Sequence, residues 1–318
     1  MKVLVFALLF CLAIMASTTP ISQFEDPRIE DDINLLESVP LEVDEEGQCV
    51  FVKSEEGLYS FTSPGTDDQV CGLYIIAEPD KEVEFEFQSF DISCSKGGLI
   101  SVIDGWELNG QFFPSPHDHP LPAERRYTEF CGKAKPRKNF RTSQNVGLIE
   151  FRVPTKGQGF SVFVRFHSNP KPCNAVLQEP QGAYTLRNYN RKSNCSISVI
   201  FPLTVNILAV SVGVQSGWPQ KTLDFETGLL TKCHKRGIHD YVEIRGGDGL
   251  DPNLMKLAVD YCGLKSRPSE HPISVACGNT AIRLVSSGHF ENSVTFTFGI
   301  PTDLSSLDLI CPSFLSAL

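Results

Sequence analysis

Hydrophobic and polar residues alternate one by one through long stretches of this 318-residue chain. Val83-Glu84-Phe85-Glu86-Phe87 and Val294-Thr295-Phe296-Thr297-Phe298 alternate strictly, and Phe160, Val162, Val164 and Phe166 occupy every second position. A period of two places one set of side chains in a core and the other in water, so these runs predict half-buried β-strands. Glycine- and proline-rich turns separate them. Helical periodicity is scarce, and Asn253 to Tyr261 is the best short helix candidate. Many short strands of this kind predict an all-β chain of the sandwich or jelly-roll class.

The chain also repeats itself. Cys49 to Cys71 and Cys173 to Cys195 are each 22 positions apart, and each pair encloses a similar pattern, Gly57-Leu58-Tyr59-Ser60-Phe61 and Gly182-Ala183-Tyr184-Thr185-Leu186. Apolar runs follow, Leu73 to Ala77 and Ile197 to Phe201. Each half then has a strand ending in a glycine turn, Leu99 to Gly105 and Tyr241 to Gly247, and later an aromatic-Cys-Gly, Phe130-Cys131-Gly132 and Tyr261-Cys262-Gly263. A repeat of roughly 124 residues exceeds a solenoid unit and implies two tandem domains. We place the first module at 49–168, the second at 173–300 and a tail at 301–318.

The N-terminus changes the picture of the compartment. Lys2, the apolar run Val3 to Met15 and the small residues from Ala16 read as a signal peptide over 1–16. That run is shorter than the roughly 20 residues a membrane span needs, so no membrane insertion is expected. Its removal takes Cys11 and leaves ten cysteines, an even number that reads as a disulfide framework in an exported chain. No Cys-x-x-Cys pair favours zinc. The duplicated spacing favours bonds within each module: Cys49–Cys71, Cys94–Cys131, Cys173–Cys195 and Cys233–Cys262, with Cys277–Cys311 pinning the tail.

Charge is unevenly placed. Residues 17–48 carry ten acidic side chains against Arg28 alone, much of the chain's net charge of −10. This segment reads as a solvated, flexible leader. The remainder is near neutral and lacks the basic patch that nucleic-acid binding requires.

At these residues a resemblance appears. Asp240-Tyr241-Val242-Glu243-Ile244 with Tyr261-Cys262-Gly263 in the second half, and Arg141 to Asn145 with Leu148-Ile149-Glu150-Phe151 in the first, resemble CUB domains, which are jelly-roll β-sandwiches. The blocks Asp104-Gly105-Trp106, Phe113-Pro114-Ser115, Asp118-His119-Pro120-Leu121-Pro122, Tyr127 to Cys131, Ser143 to Val146, Gly249-Leu250-Asp251-Pro252 and Val285 to Gly288 resemble the corticotropin-releasing factor-binding protein family. The resemblance runs from about Cys49 to Cys311. It implies two CUB-like modules forming an extracellular carrier that sequesters a helical peptide hormone. The divergent leader suits an invertebrate-type member acting on a diuretic-hormone-like peptide. In that family peptide contact is associated with charged residues around the first cysteine. The stretch Asp44 to Phe51 lacks the basic residue before Cys49 and the acidic one after it, so no ligand residue carries over. Gly98 stands where the second half has Asp240, and neither half supplies the late acidic residue of a calcium set, so no metal or other cofactor is expected.

Nothing in the sequence assembles catalysis. No Gly-x-Ser-x-Gly, His-Glu-x-x-His or phosphate-loop motif occurs. Ser93-Cys94-Ser95-Lys96 matches Ser-x-x-Lys, but Cys94 is wanted for a disulfide. His117-Asp118-His119 could hold a metal, yet Pro114, Pro116, Pro120 and Pro122 around it predict an exposed, extended loop. Gly246 to Gly249 reads as a strand-terminating turn. Trp106, Phe112 and Phe113 form an aromatic group that reads as satellite core or as an apolar wall for a peptide. Asn194-Cys195-Ser196 is the single glycosylation sequon, so Asn194 is the expected glycan site. The expected partner is a corticotropin-releasing-factor-like peptide, reached without catalysis. The rivals are a generic CUB adhesion module and an exported hydrolase.

Overall fold

The computed structural model describes residues 37–44, 47–65, 69–214, 228–265, 271–302 and 307–312. The signal-peptide expectation and most of the acidic leader lie outside them. Apart from three single-turn 3-10 helices, every described element is a strand. The first module packs two five-stranded sheets. One runs in the order Val39–Pro40, Gly57–Thr62, Gly159–Ser168, Lys81–Asp91, Phe140–Arg141, and the other Val50–Lys53, Cys71–Ile76, Val146–Arg152, Leu99–Asp104, Tyr127–Phe130. The alternating residues named above line the space between them: Val83, Phe85, Phe87, Phe160, Val162 and Val164 are all buried there. Phe61, Phe151 and Phe160 fill its centre, with ring centroids 4.6 Å and 4.9 Å apart for the Phe61–Phe151 and Phe151–Phe160 pairs.

The second module is one continuous curled sheet around its own core, which holds Ile197, Val199, Val205, Ile207, Ile282, Leu284, Val294 and Phe296. The strand Lys256–Lys265 carries the chain round a corner. It pairs with Tyr241–Gly247 through Tyr261 and then with Leu203–Val212 from Gly263 onward. A strand that changes sheets in this way closes a sandwich. This strand corrects the expected helix at Asn253 to Tyr261. Only Pro252 to Leu254 form a turn, and from Lys256 onward tertiary pairing with Tyr241–Gly247, joined by Leu229–Thr231 from Tyr261, overrides the weak helical periodicity.

The five disulfides join Cys49–Cys71, Cys94–Cys131, Cys173–Cys195, Cys233–Cys262 and Cys277–Cys311. Each closes a loop of between 22 and 37 positions, worth roughly 3–4 kcal/mol in the chain-entropy account. The tail is held twice, because Leu309–Ile310 also pairs with Val275–Ala276 beside Cys277–Cys311. The leader boundary needs correction. Val39–Pro40 pairs with Tyr59–Ser60, and Leu41 is buried in the first core. Burying Leu41 is worth about 1.5–3 kcal/mol, enough to draw this part of the acidic segment onto the module.

Candidate functional site

A third apolar cluster belongs to neither sandwich alone. Ile76, Ile103, Trp106, Phe113, Val146 and Leu148 of the first module pack with Val176 and Leu250 of the second. The outer face of the Cys71–Ile76 sheet is apolar because the second module covers part of it. The uncovered part opens as a groove of about 360 Å³. Val50, Val52, Tyr74, Trp106 and Leu108 line it from the first module, and Ile200 and Leu250 from the second. Val50, Val52, Leu108 and Ile200 are exposed. Exposed apolar side chains gathered from both modules mark a surface suited to a partner.

The three aromatic residues anticipated as a wall part company. Trp106 lines the groove from a buried position; its Nε1 donates to Ile75 O at 3.1 Å and its ring meets Tyr74 edge-on at 5.6 Å. Phe113 is fully buried in the shared cluster, and Phe112 lies under the Arg126 guanidinium at 5.3 Å, away from the groove. Alternation along Gln111–Phe113 explains the split, since neighbouring residues face opposite sides. Sequence reasoning missed Val50, Val52, Tyr74, Leu108, Ile200 and Leu250, which come from segments far apart in the chain.

Tyr74 anchors the groove floor by donating its hydroxyl to Glu107 O at 2.9 Å. Burial, with the nearby carboxylates of Glu150 and Glu107, pushes its phenol up to about 12. Glu150 and Val50 flank Gly72 from the two neighbouring strands, and the Tyr74 ring covers that glycine. Burial pushes Glu150 up to about 7, helped by the hydrogen bond and like charge of Glu107. The groove is lined mostly by apolar side chains, with Asp248 and Asn279 among its polar lining residues.

Behind the groove the modules are locked by charge. Asp118 is buried, and its carboxylate accepts from Arg283 Nε at 2.8 Å and Nη2 at 2.6 Å and from Ser196 Oγ at 2.7 Å. Arg283 Nη1 donates to Glu243 at 3.0 Å, and Arg245 lies 2.8 Å from the same oxygen. Alternating charges thus run across the joint. Burial opposes the charge on Arg283, but Asp118 and Glu243 outweigh it and hold its guanidinium above the ordinary value. Next to this chain, burial also opposes ionisation of Asp104. The bonds from His119, Ser143 and Gln144 prevail and keep its carboxyl below the usual range.

These contacts correct the reading of the proline loop. The segment around His117-Asp118-His119 is a turn rather than an extended stretch: Pro116, His117 and Pro120 are exposed, as the prolines suggested, but Asp118 and His119 are buried. Ser115 O accepts the N–H groups of Asp118 and His119 at 3.0 Å each, closing a turn that buries both side chains at the joint. Arg126 fastens it through Pro114 O at 2.8 Å, and burial lowers that guanidinium to about 10. Asn194 lies on a polar cleft of about 710 Å³ nearby, with its Nδ2 3.5 Å from His117 O. Among the described residues no group of three or more His, Cys, Asp or Glu is gathered as a metal site. Asp240 Oδ1 accepts from Ser287 N at 3.0 Å and Asn292 Nδ2 at 2.6 Å.

Two β-sandwiches packed on a shared apolar cluster and sharing an apolar groove have the build of a binding protein of the tandem β-sandwich class. Residues 44–168 match the corticotropin-releasing factor binding protein N-terminal domain, and residues 175–305 match the C-terminal domain. The chain belongs to the corticotropin-releasing factor-binding protein family. It is 38% identical over 251 residues to the Ovis aries corticotropin-releasing factor-binding protein, covering 79% of this chain and 74% of that one. The Homo sapiens protein is 36% identical over the same coverage. Among solved structures, the CUB1-EGF-CUB2 domains of rat MASP-1 align with a TM-score of 0.28 and 14% identity, covering 79% of this chain and 99% of that chain. That likeness carries no argument about function.

Proposed function

We propose that this protein is a secreted carrier that binds a corticotropin-releasing-factor-like peptide of the diuretic-hormone type and lowers its free concentration. The observation that carries this reading is membership of a family named for peptide binding, in both modules, on a chain whose two modules share an exposed apolar groove. An amphipathic peptide fits such a surface by laying apolar anchors into it. Sequestration then works by mass action and makes or breaks no bond in the hormone. Five disulfides fit export to an oxidising compartment. We also propose a glycan on Asn194, attached before folding, because Ser196 of the sequon ends up buried beneath Asp118. The test is a receptor-response curve for a synthetic diuretic-hormone peptide with and without excess recombinant protein. A shift to higher peptide concentration with an unchanged maximum supports the carrier; superimposed curves count against it.

A further inference from the structure

The internal duplication lets one module be read against the other. Phe51 faces Leu73 in the first module as Ala175 faces Ile197 in the second, so Val52 and Val176 occupy the same position. Likewise Ile76 and Ile200 each lie five residues after the second cysteine of their module. In the structure Val176 packs in one cluster with Ile76, and both are 1% exposed. Their counterparts, Val52 at 60% and Ile200 at 48% exposed, line opposite sides of the groove. The two modules therefore have two equivalent seams. One is closed by the chain itself and the other is open.

A second, independent difference separates the seams. Alternate residues of a parallel strand bond to alternate sides. Cys49 O accepts from Gly72 N at 3.0 Å, so Phe51 and Lys53 face the sheet while Val50 and Val52 present their N–H and C=O groups to its free edge. At the closed seam, Asn145 satisfies the matching groups of Val176. Its Oδ1 accepts Val176 N at 3.0 Å and its Nδ2 donates to Val176 O at 2.9 Å. Gly147 faces Ile75 as Thr280 faces Val199, which makes Gly278 the counterpart of Asn145. Gly278 lines the groove and has no side chain to seal the Val52 edge.

We propose that the open seam is the peptide site, and that the bound peptide supplies there what Val176, Ile76 and Asn145 supply at the closed one. Apolar peptide side chains fill the space between Val52 and Ile200. A peptide amide group pairs with the N–H and C=O of Val52. The inference rests on the carrier reading and deepens it, since it draws on both modules and continues an apolar interface already formed. An asparagine in place of Gly278 would restore the seal, and its Cβ would meet nothing nearer than Asp248 Oδ1 at 3.4 Å.

The experiment uses the full mature chain and a synthetic diuretic-hormone-type peptide. Affinity is measured by titration for wild type, Gly278→Asn, Val52→Ser, Ile200→Ser and, as a control elsewhere on the surface, Leu264→Ser. Loss of one apolar anchor is expected to weaken binding about tenfold, Gly278→Asn at least as much, and Leu264→Ser not at all. Unchanged melting temperatures separate these losses from misfolding, since Val52 and Ile200 are exposed. Hydrogen exchange at Val52 should slow on binding. An N-methylated peptide backbone and an Asn/Gln→Ala peptide distinguish a main-chain amide from a side-chain carboxamide as the pairing group. Wild-type affinity in all three seam variants overturns the seam while leaving the carrier reading intact. A wild-type protein that binds no peptide overturns both. A peptide-free dimer that Val52→Ser dissociates would assign the seam to a second copy of the chain and overturn the proposal.

Discussion

Replacing Asp118 by alanine is expected to loosen the joint between the modules more than it harms either core. The carboxylate is fully buried, accepts from both Nε and Nη2 of Arg283 and from Ser196 Oγ, and shares no apolar cluster with either sandwich. Removing one member of a buried ion pair costs about 3–5 kcal/mol because the other is left in low dielectric. Arg283 keeps Glu243 at 3.0 Å, which puts the loss near the lower end, about 3 kcal/mol. At 2–4 °C per kcal/mol for a chain of this size, that is a fall in melting temperature of roughly 6–12 °C. Thermal melts of wild type and variant measure it, and limited proteolysis near 169–173 shows whether the link between modules opens first. Asp118→Leu with Arg283→Met should recover much of the loss, because it removes both charges and leaves Glu243 beside Arg245 at 2.8 Å. A fall below about 2 °C in the single variant, or a double variant no better than the single, would refute the reasoning.

Two further outcomes follow from single residues. The Glu150 carboxyl is raised in the fold to about 7, so the folded state holds a proton that the unfolded state releases near pH ~4.3. Stability from this group is therefore full below that pH and lost as pH rises towards 7. Glu150→Gln should match wild type near pH 4 and exceed it by about 1 kcal/mol at pH 8, after discounting for its half-exposed position. Denaturant midpoints at the two pH values check this, and a gap independent of pH would contradict it. Asn194→Gln should increase electrophoretic mobility of the secreted protein by one glycan and leave the melting temperature within about 2 °C; equal mobility would remove the glycan.

Local pattern made much of the fold legible, and distance hid most of the site. Strict alternation over Val83 to Phe87 and Val294 to Phe298 reflects two-sided strands, and both lie in sandwich cores. The duplicated cysteine spacing carried the two modules because it survives divergence of the surrounding residues. Asp118 and Arg283 are 165 positions apart, and neither lies in a local motif that would connect them. The prolines around His117 suggested an extended exposed loop; Pro116, His117 and Pro120 are exposed, but packing of two modules, invisible to local chemistry, folds a turn that buries Asp118 and His119. Val50 and Val52 lay beside the first cysteine, where polar ligand residues were sought, while the groove is apolar. Comparing Val52 with Val176 in the repeat could have marked the spot, since the same residue type meets different surroundings.

Reversible peptide binding is tested most directly by titration calorimetry with a synthetic corticotropin-releasing-factor-like diuretic peptide, followed by mass spectrometry of the recovered peptide. The expected result is saturable binding at micromolar peptide or below, a negative heat-capacity change from apolar burial, only modest weakening between low and moderate salt, and an intact peptide. No measurable binding at micromolar peptide would contradict the carrier, and a cleaved peptide would contradict the claim that it acts by holding the hormone alone.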